Sequence, residues 1–260
     1  MNSDSLVRLQ VAQRIAHITL CRPEKKNALS PQLISELTET FLQAEQSNEV
    51  RIIILRAEGT VFSAGADIAY LQQLQHFSYE ENLADSRRFE QLLRTVYTSS
   101  KVVLAEVQGH ALAGGCGLIT ACDFAFAVPE AQFGYTEARI GFVPALVSVL
   151  LLRRTNGSIA RDLLLTGRLI SAEEAKTAGL IHEVVASEQL SRRVEAFATE
   201  LLENCSGQSL ALTKELLWKL PGMDLLSAWE LAAQRNAHMR TTDDFRKGIA
   251  GFLNRQPVKW

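Results

Sequence analysis

No run of apolar residues in the 260-residue chain approaches the roughly 18 to 20 that a membrane-spanning helix requires. Cysteine is scarce. Cys21, Cys116, Cys122 and Cys205 show neither C-x-x-C nor Cys/His metal spacing, so no disulfide framework or zinc site is indicated and reduced thiols of a cytoplasmic protein are expected. Met1 to Ser5 lacks a basic region leading into an apolar core, so no signal peptide is read there. Neither sign of charge dominates: 27 Lys and Arg against 29 Asp and Glu leave a net −2, which gives no electrostatic footing for nucleic acid or an anionic membrane. Also missing are H-E-x-x-H, the phosphate loop G-x-x-x-x-G-K-[ST] and the nucleophile elbow G-x-S-x-G. His17, His76, His110, His182 and His238 are scattered, and no metal site is expected. What is present is 47% hydrophobic and 22% charged residues, enough for one large soluble α/β domain or a domain with a helical appendage.

Leu6 to Leu20 alternates apolar and polar residues around a break near Ala12-Gln13-Arg14, which predicts an opening hairpin. Arg22 to Asn27 reads as a polar loop. Ser30 then caps a helix with Pro31 first, where a missing N–H costs nothing, and Leu33, Ile34, Leu37, Phe41 and Leu42 give it one apolar face. Ile52–Leu55, Val102–Val107 and Phe124–Ala127 are short buried-strand runs separated by loops or helical stretches, so the first half reads as repeated strand and helix units. From Ser148 the pattern turns helical, apart from a short strand near His182–Val185. Leu190, Val194, Phe197, Ala198, Leu201 and Leu202 keep helical spacing, and further helices are expected near 207–219, 223–238 and 242–253. No low-complexity linker separates the two parts.

Three segments could carry chemistry. Phe62-Ser63-Ala64-Gly65-Ala66-Asp67-Ile68 is a small-residue turn between a strand and a helix, where a ligand can approach backbone N–H groups, although a purely structural turn would look the same. Gln108 to Leu118, containing Gly114, Gly115 and Gly117, follows the strand ending at Val107 and reads as a glycine-rich turn opening a helix. Its glycines do not fit the dinucleotide pattern, so a second backbone-donor site is the better reading. His110 beside it reads as an exposed turn histidine. Phe133 to Pro144 places one carboxylate, Glu137, among apolar and small residues. It is either a surface glutamate paired with Arg139 or another cation, or a desolvated proton-transfer group with its pKa raised from about 4.3.

Taken in order, these segments resemble the crotonase (enoyl-CoA hydratase/isomerase) superfamily. The likeness extends through the Arg22-Pro23 to Leu29 loop, Cys122-Asp123, Thr166 to Ala175, Gly179-Leu180-Ile181 and Phe245 to Phe252. It implies an α/β spiral of ββα units over residues 1–200 carrying an acyl-CoA site, and a helical region over 201–260 that builds homotrimers, often paired into hexamers. It implies that the N–H groups of Ala66 and Gly114 form an oxyanion hole for the thioester carbonyl, with Ala64, Gly65, Ala66, Asp67 and Ile68 lining the bound CoA. Arg255 and Lys259 are weaker candidates for the CoA phosphates. No cofactor is implied, because coenzyme A is part of the substrate.

One departure bears on mechanism. Hydratases of this kind usually carry two glutamates, and the first falls here on Gly117, while the second is Glu137. After Pro144 the usual glycine-rich turn is replaced by Ala145-Leu146-Val147-Ser148, so the pocket wall differs too. Thr136 to Ala145 looks closest to bacterial methylglutaconyl-CoA hydratase-like members of the superfamily. The leading reading is a hydratase-type lyase acting through a stabilised enolate. The alternatives are a Δ3,Δ2-enoyl-CoA isomerase with Glu137 as single proton shuttle, and a CoA-thioester-binding homologue without chemistry.

Overall fold

The computed structural model describes residues 5–260, so most of the Met1–Ser5 segment read for a signal peptide lies outside the described residues. The opening hairpin is β1 (Val7–Ala12) and β2 (Ile15–Leu20), antiparallel from Val7↔Leu20 to Ala12↔Ile15. Its two-residue turn puts Gln13 at φ 50 and Arg14 at φ 68, the left-handed geometry that matches strand twist, here without glycine or asparagine. Helix α1 (Pro31–Gln46) begins as expected, with the Ser30 hydroxyl accepting from Leu33 N–H at 3.2 Å. Leu33, Ile34, Leu37 and Phe41 are buried; Leu42, assigned to the same face, stands exposed.

Three strand pairs then alternate between two sheets. β3 (Ile52–Ala57), β5 (Val102–Val107) and β7 (Phe124–Ala127) join β2 in parallel within a six-stranded sheet of order β1-β2-β3-β5-β7-β10, closed by β10 (Glu183–Val184). Each is followed within a few residues by a short strand of a second sheet: β4 (Val61–Ser63), β6 (His110–Leu112) and β8 (Gln132–Gly134). These run parallel to one another, and β9 (Ile170–Ser171) adds antiparallel to β8. Helices return the chain after each pair: α2 (Ile68–Leu74) and α3 (Tyr79–Thr98), then α4 (Gly114–Ala121), then α5 (Ala145–Arg154), α6 (Gly157–Thr166) and α7 (Ala172–Thr177). This is the spiral of ββα units. The segment read as a single glycine turn after Val107 in fact contains β6, with α4 starting only at Gly114.

α8 (Leu190–Asn204) lays Leu190, Val194 and Ala198 on the large sheet. α9 (Gly207–Lys219), α10 (Leu225–Met239) and α11 (Asp243–Leu253) complete the chain. The last two bury no residue, and Leu225, Leu226, Trp229, Phe252 and Leu253 stand in solvent. No helix among the described residues is long and apolar enough to cross a membrane.

One buried cation ties α9 to the sheet. Lys214 Nζ donates to Asp123 Oδ2 at 2.6 Å and to the Lys101 carbonyl at 2.8 Å, and the same carboxylate oxygen accepts from Val103 N–H at 2.7 Å. Removing one member of such a pair leaves the other under-solvated. Lys214→Ala should lower unfolding stability by about 2–4 kcal/mol, measured by urea denaturation, whereas a surface lysine change should be within about 0.5 kcal/mol.

Candidate active site

The parallel strands β4, β6 and β8 end side by side, with Ser63 paired to Ala111 and Leu112 to Gly134. Each strand end leads into one of the three segments singled out by sequence: Ala64–Asp67, Ala113–Gly114 and Tyr135–Glu137. Ligand sites in parallel sheets form at such carboxyl ends because every connecting loop leaves from that edge. The fold therefore gathers residues far apart in the chain at one place.

The first turn is held by the Arg22–Leu29 loop. Asn27, fully buried at φ 51, donates from its amide to the Glu58 and Val61 carbonyls at 2.8 Å each and accepts from Arg22 N–H at 3.0 Å. Ala64 N–H donates to Lys26 O at 3.0 Å, Leu29 N–H to Gly65 O at 2.7 Å, and Asp67 N–H to Leu29 O at 3.1 Å. That pairing engages the amides on either side of Ala66 and turns the Ala66 N–H the other way, without an acceptor among the described residues. Asp67 caps α2, accepting from Ala69 and Tyr70 N–H, and meets Arg22 Nη1 at 2.7 Å. Burial pushes its carboxyl up, but the Arg22 guanidinium and those amides outweigh burial and hold it below the usual aspartate range. Ala66 and Ile68 are exposed.

Gly65, at φ 89, lies against the second turn: a Cβ there would stand 2.9 Å from the Ala113 Cβ and 3.0 Å from the Leu112 carbonyl oxygen. Only glycine permits both that φ and that approach. Ala113 is itself at φ 47 and ψ −122, a conformation non-glycine residues seldom adopt, secured by its N–H on Gly134 O at 2.7 Å. Gly114 follows as the first residue of α4, so its N–H has no partner within the helix, and none elsewhere among the described residues. Each of the two unpaired amides is thus one residue beyond a contact between their turns.

Glu137 occupies a 3-10 helix, Thr136–Ile140, that ends at the left-handed Gly141. It is 8% exposed, its Oε2 has no hydrogen-bond partner, and desolvation raises its pKa above the usual 4.5. Pairing with Arg139 does not occur: that guanidinium donates instead to Thr166 O at 3.3 Å. Beside Glu137, buried Tyr135 shares a 2.5 Å hydrogen bond with Thr120, and burial pushes the Cys116 thiol up to about 12, which makes it a poor nucleophile. His110 is exposed as expected, though it begins β6 and accepts from Gln132 N–H.

The two sequence departures prove to be one structural feature. A Cβ on Gly117 would lie 2.4 Å from Val147 Cγ1 and 3.4 Å from Val147 Cβ, with Leu93 Cδ2 at 3.9 Å. Val147, from the altered stretch after Pro144, fills the space a side chain at 117 would take. Sequence reading missed α3, which supplies Leu93 and, beside Gly114, Phe89; its Ser78/Glu81 capping box was a legible start signal. Arg255 and Lys259 are not brought to these turns within the chain. The tail folds back on α11, and Trp260 O accepts from Arg14 at the β1–β2 turn.

A family model described as enoyl-CoA hydratase/isomerase matches residues 10–260. A Thermus thermophilus relative with a provisional enoyl-CoA hydratase name is 42% identical over 246 residues, spanning 95% of this chain and 97% of that one. The chain belongs to the enoyl-CoA hydratase/isomerase family. The crystal structure of an enoyl-CoA hydratase from Mycobacterium smegmatis matches with a TM-score of 0.93 at 28% identity, covering 99% of both chains. Human enoyl-CoA hydratase domain-containing protein 3 matches at 0.90 and 28% identity over 98% of this chain and 100% of that one. In this family member, among the described residues, no three His, Cys, Asp or Glu side chains gather around a possible metal position.

The buried carboxyl has a thermodynamic signature. Where folding raises a glutamate pKa, the native state holds a proton that the unfolded chain has released, so stability falls as pH climbs from 4.5 through the raised value. Glu137→Gln removes that loss. The variant should unfold at higher temperature than wild type at pH 8, with the gap shrinking as pH approaches 4.5. A gap independent of pH in thermal unfolding would show that Glu137 is not desolvated.

Proposed function

We propose that this chain is a hydratase-type lyase acting on an acyl-CoA thioester, with the amides of Ala66 and Gly114 receiving the thioester oxygen and Glu137 moving the proton. The observation that carries this reading is a desolvated carboxylate with a free oxygen on the same strand-end edge as two unpaired amides. Donors fixed before the reaction stabilise the oxygen as it becomes an enolate, and each such donor is worth on the order of 10²–10³ in rate. Ala64 to Ile68 line the CoA at the mouth of the site.

With Gly117 lacking a side chain, Glu137 serves both half-steps. It accepts a proton from water as the water oxygen bonds to C3 of a 2-enoyl thioester and the C2–C3 π pair passes into the enolate. It then returns a proton to C2 as the enolate collapses, so that one water is added and the carboxylate is regenerated. The same group can take a proton from C2 of a 3-enoyl thioester and return one to C4. That isomerisation is the second reading, favoured by the single carboxylate. Neither route calls for a cofactor beyond the substrate's own CoA.

Glu137→Gln keeps the shape and loses the carboxylate that takes up and returns the proton. Turnover should drop at least about 10²–10⁴-fold while CoA-thioester affinity stays nearly constant. Crotonyl-CoA, 3-methylglutaconyl-CoA and a 3-enoyl-CoA, with products resolved by mass, separate the routes: gain of one water marks a hydratase, and unchanged mass with a moved double bond an isomerase. Retention of most activity in the variant would remove Glu137 from the mechanism, and no conversion of any substrate by the wild type would favour a binding protein.

We further infer a homotrimer, alone or paired into a hexamer, with residues 201–260 as the assembly region. Exposed large apolar side chains in two stretches of the chain support this: Ile140, Phe142, Val143, Val149 and Leu152 around α5, and Leu225, Leu226, Trp229, Phe252 and Leu253 on α10 and α11. Unlike patches that meet head to tail close into rings. Sedimentation at micromolar concentration should give three or six times 28.8 kDa, and a monomer would contradict the assembly.

A further inference from the structure

α3 and α4 run an apolar edge along the site. A side chain at Gly114 would meet Leu29 and Phe89, at 3.0 and 3.1 Å, and one at Gly117 would meet Val147 and Leu93. Gly114 and Gly117 are one turn apart on α4, and Phe89 and Leu93 are one turn apart on α3, so the two helices present matching edges. Val147 is 2% exposed and Leu93 4%. The hydroxyl of Thr120, one further turn along α4, is already committed to Cys116 O and Tyr135. The side chains facing Gly114 and Gly117 are therefore all carbon, so acyl carbons running from Gly114 along this edge would meet only methyl and ring carbons.

We propose that Val147 is a specificity-determining residue, whose isopropyl group closes the position facing Gly117 and selects thioesters of apolar acyl groups over those with an ionised or hydroxylated end. This inference rests on the acyl-CoA reading above. The relatives that Thr136 to Ala145 resembles are named for a carboxylated acyl group, and the side chains around Gly117 argue against such a group here. A polar end placed on this wall loses its water without gaining a partner, so it is disfavoured even where it fits. An apolar wall rejects an added hydroxyl by only about 10²-fold, and an ionised end, which is costlier to strip of water, by more.

The test combines kinetics with unfolding. Wild-type kcat/KM should favour crotonyl-CoA over 3-methylglutaconyl-CoA by at least about 100-fold. Val147→Ala should narrow the difference between straight and β-branched apolar enoyl-CoAs at least threefold, and Val147→Thr should narrow the apolar-to-carboxylated ratio. The shared space is read separately. Gly117→Ala should lower the unfolding temperature by roughly 3–10 °C in wild type and by much less in the Val147→Ala background. Turnover with unchanged substrate ratios in both Val147 variants, or a wild type that prefers the carboxylated substrate, overturns the role of Val147 and leaves the acyl-CoA reading standing. No turnover of any thioester by wild type, with Gly117→Ala still rescued by Val147→Ala, sinks the acyl-CoA reading and the specificity role with it, while the packing stands.

Discussion

The backbone of the Ala64–Asp67 turn lies against the backbone at Leu112–Ala113, and the rest of the site is arranged around that approach. At Gly65 there is no room for a Cβ, so the two turns pack main chain to main chain. Two constraints maintain the contact from opposite sides. Asn27 and the Arg22–Asp67 ion pair hold the first turn from beneath, and the Ala113 N–H on Gly134 O holds the second against β8. Ala113 keeps an unfavourable φ and ψ because its neighbours are fixed, and strain of this sort costs about 1–3 kcal/mol. On the mechanism proposed, the return on that strain would be orientation: amides aimed before any ligand arrives need no reorganisation during reaction.

Glu137 poses the opposite problem. Its carboxylate is buried beside Tyr135 and Cys116 with one oxygen unpaired, where an ionised group is disfavoured and nothing nearby neutralises it. Asp67 shows what the same fold does when it needs a structural carboxylate: it supplies a guanidinium and two amides. The difference between these two acids lies in their partners and not in their burial, since both are 8% exposed.

The long elements were legible because each carries its own signal. The Ser30-Pro31 start of α1, the β-branched run of β3 and the spacing of α8 hold regardless of their surroundings. The strands of the second sheet were not. β4, β6 and β8 have three residues each, too few for an alternation to register, and they exist because parallel neighbours hold them. So the small-residue turns and Glu137 could be named from sequence, while the sheet that joins their strand ends could not be drawn. Leu42 was misassigned because a helix face read from spacing alone is wider than the surface that covers it. That Gly117 and Val147 share one space is a tertiary fact, with no trace in either local pattern.

That shared space also decides how the chemistry is divided. Had Gly117 opened onto water or a polar pocket, the missing carboxylate could be replaced by solvent held on that side. Instead the void is filled by Val147, and a glutamate restored at 117 alone would drive its Cβ into a buried methyl at 2.4 Å. Restoring the second acid therefore takes two changes. In the proposed reaction, with that side closed, acid–base work would fall to Glu137, worth about 10²–10⁴, and the remainder of the rate to the two amides at about 10²–10³ each. The amide contribution is the larger when both donors act, and it is indifferent to whether the proton comes from water or carbon. On the mechanism proposed, a site built this way would stabilise the enolate first and leave the fate of the proton to the substrate's shape against the wall that Val147 completes.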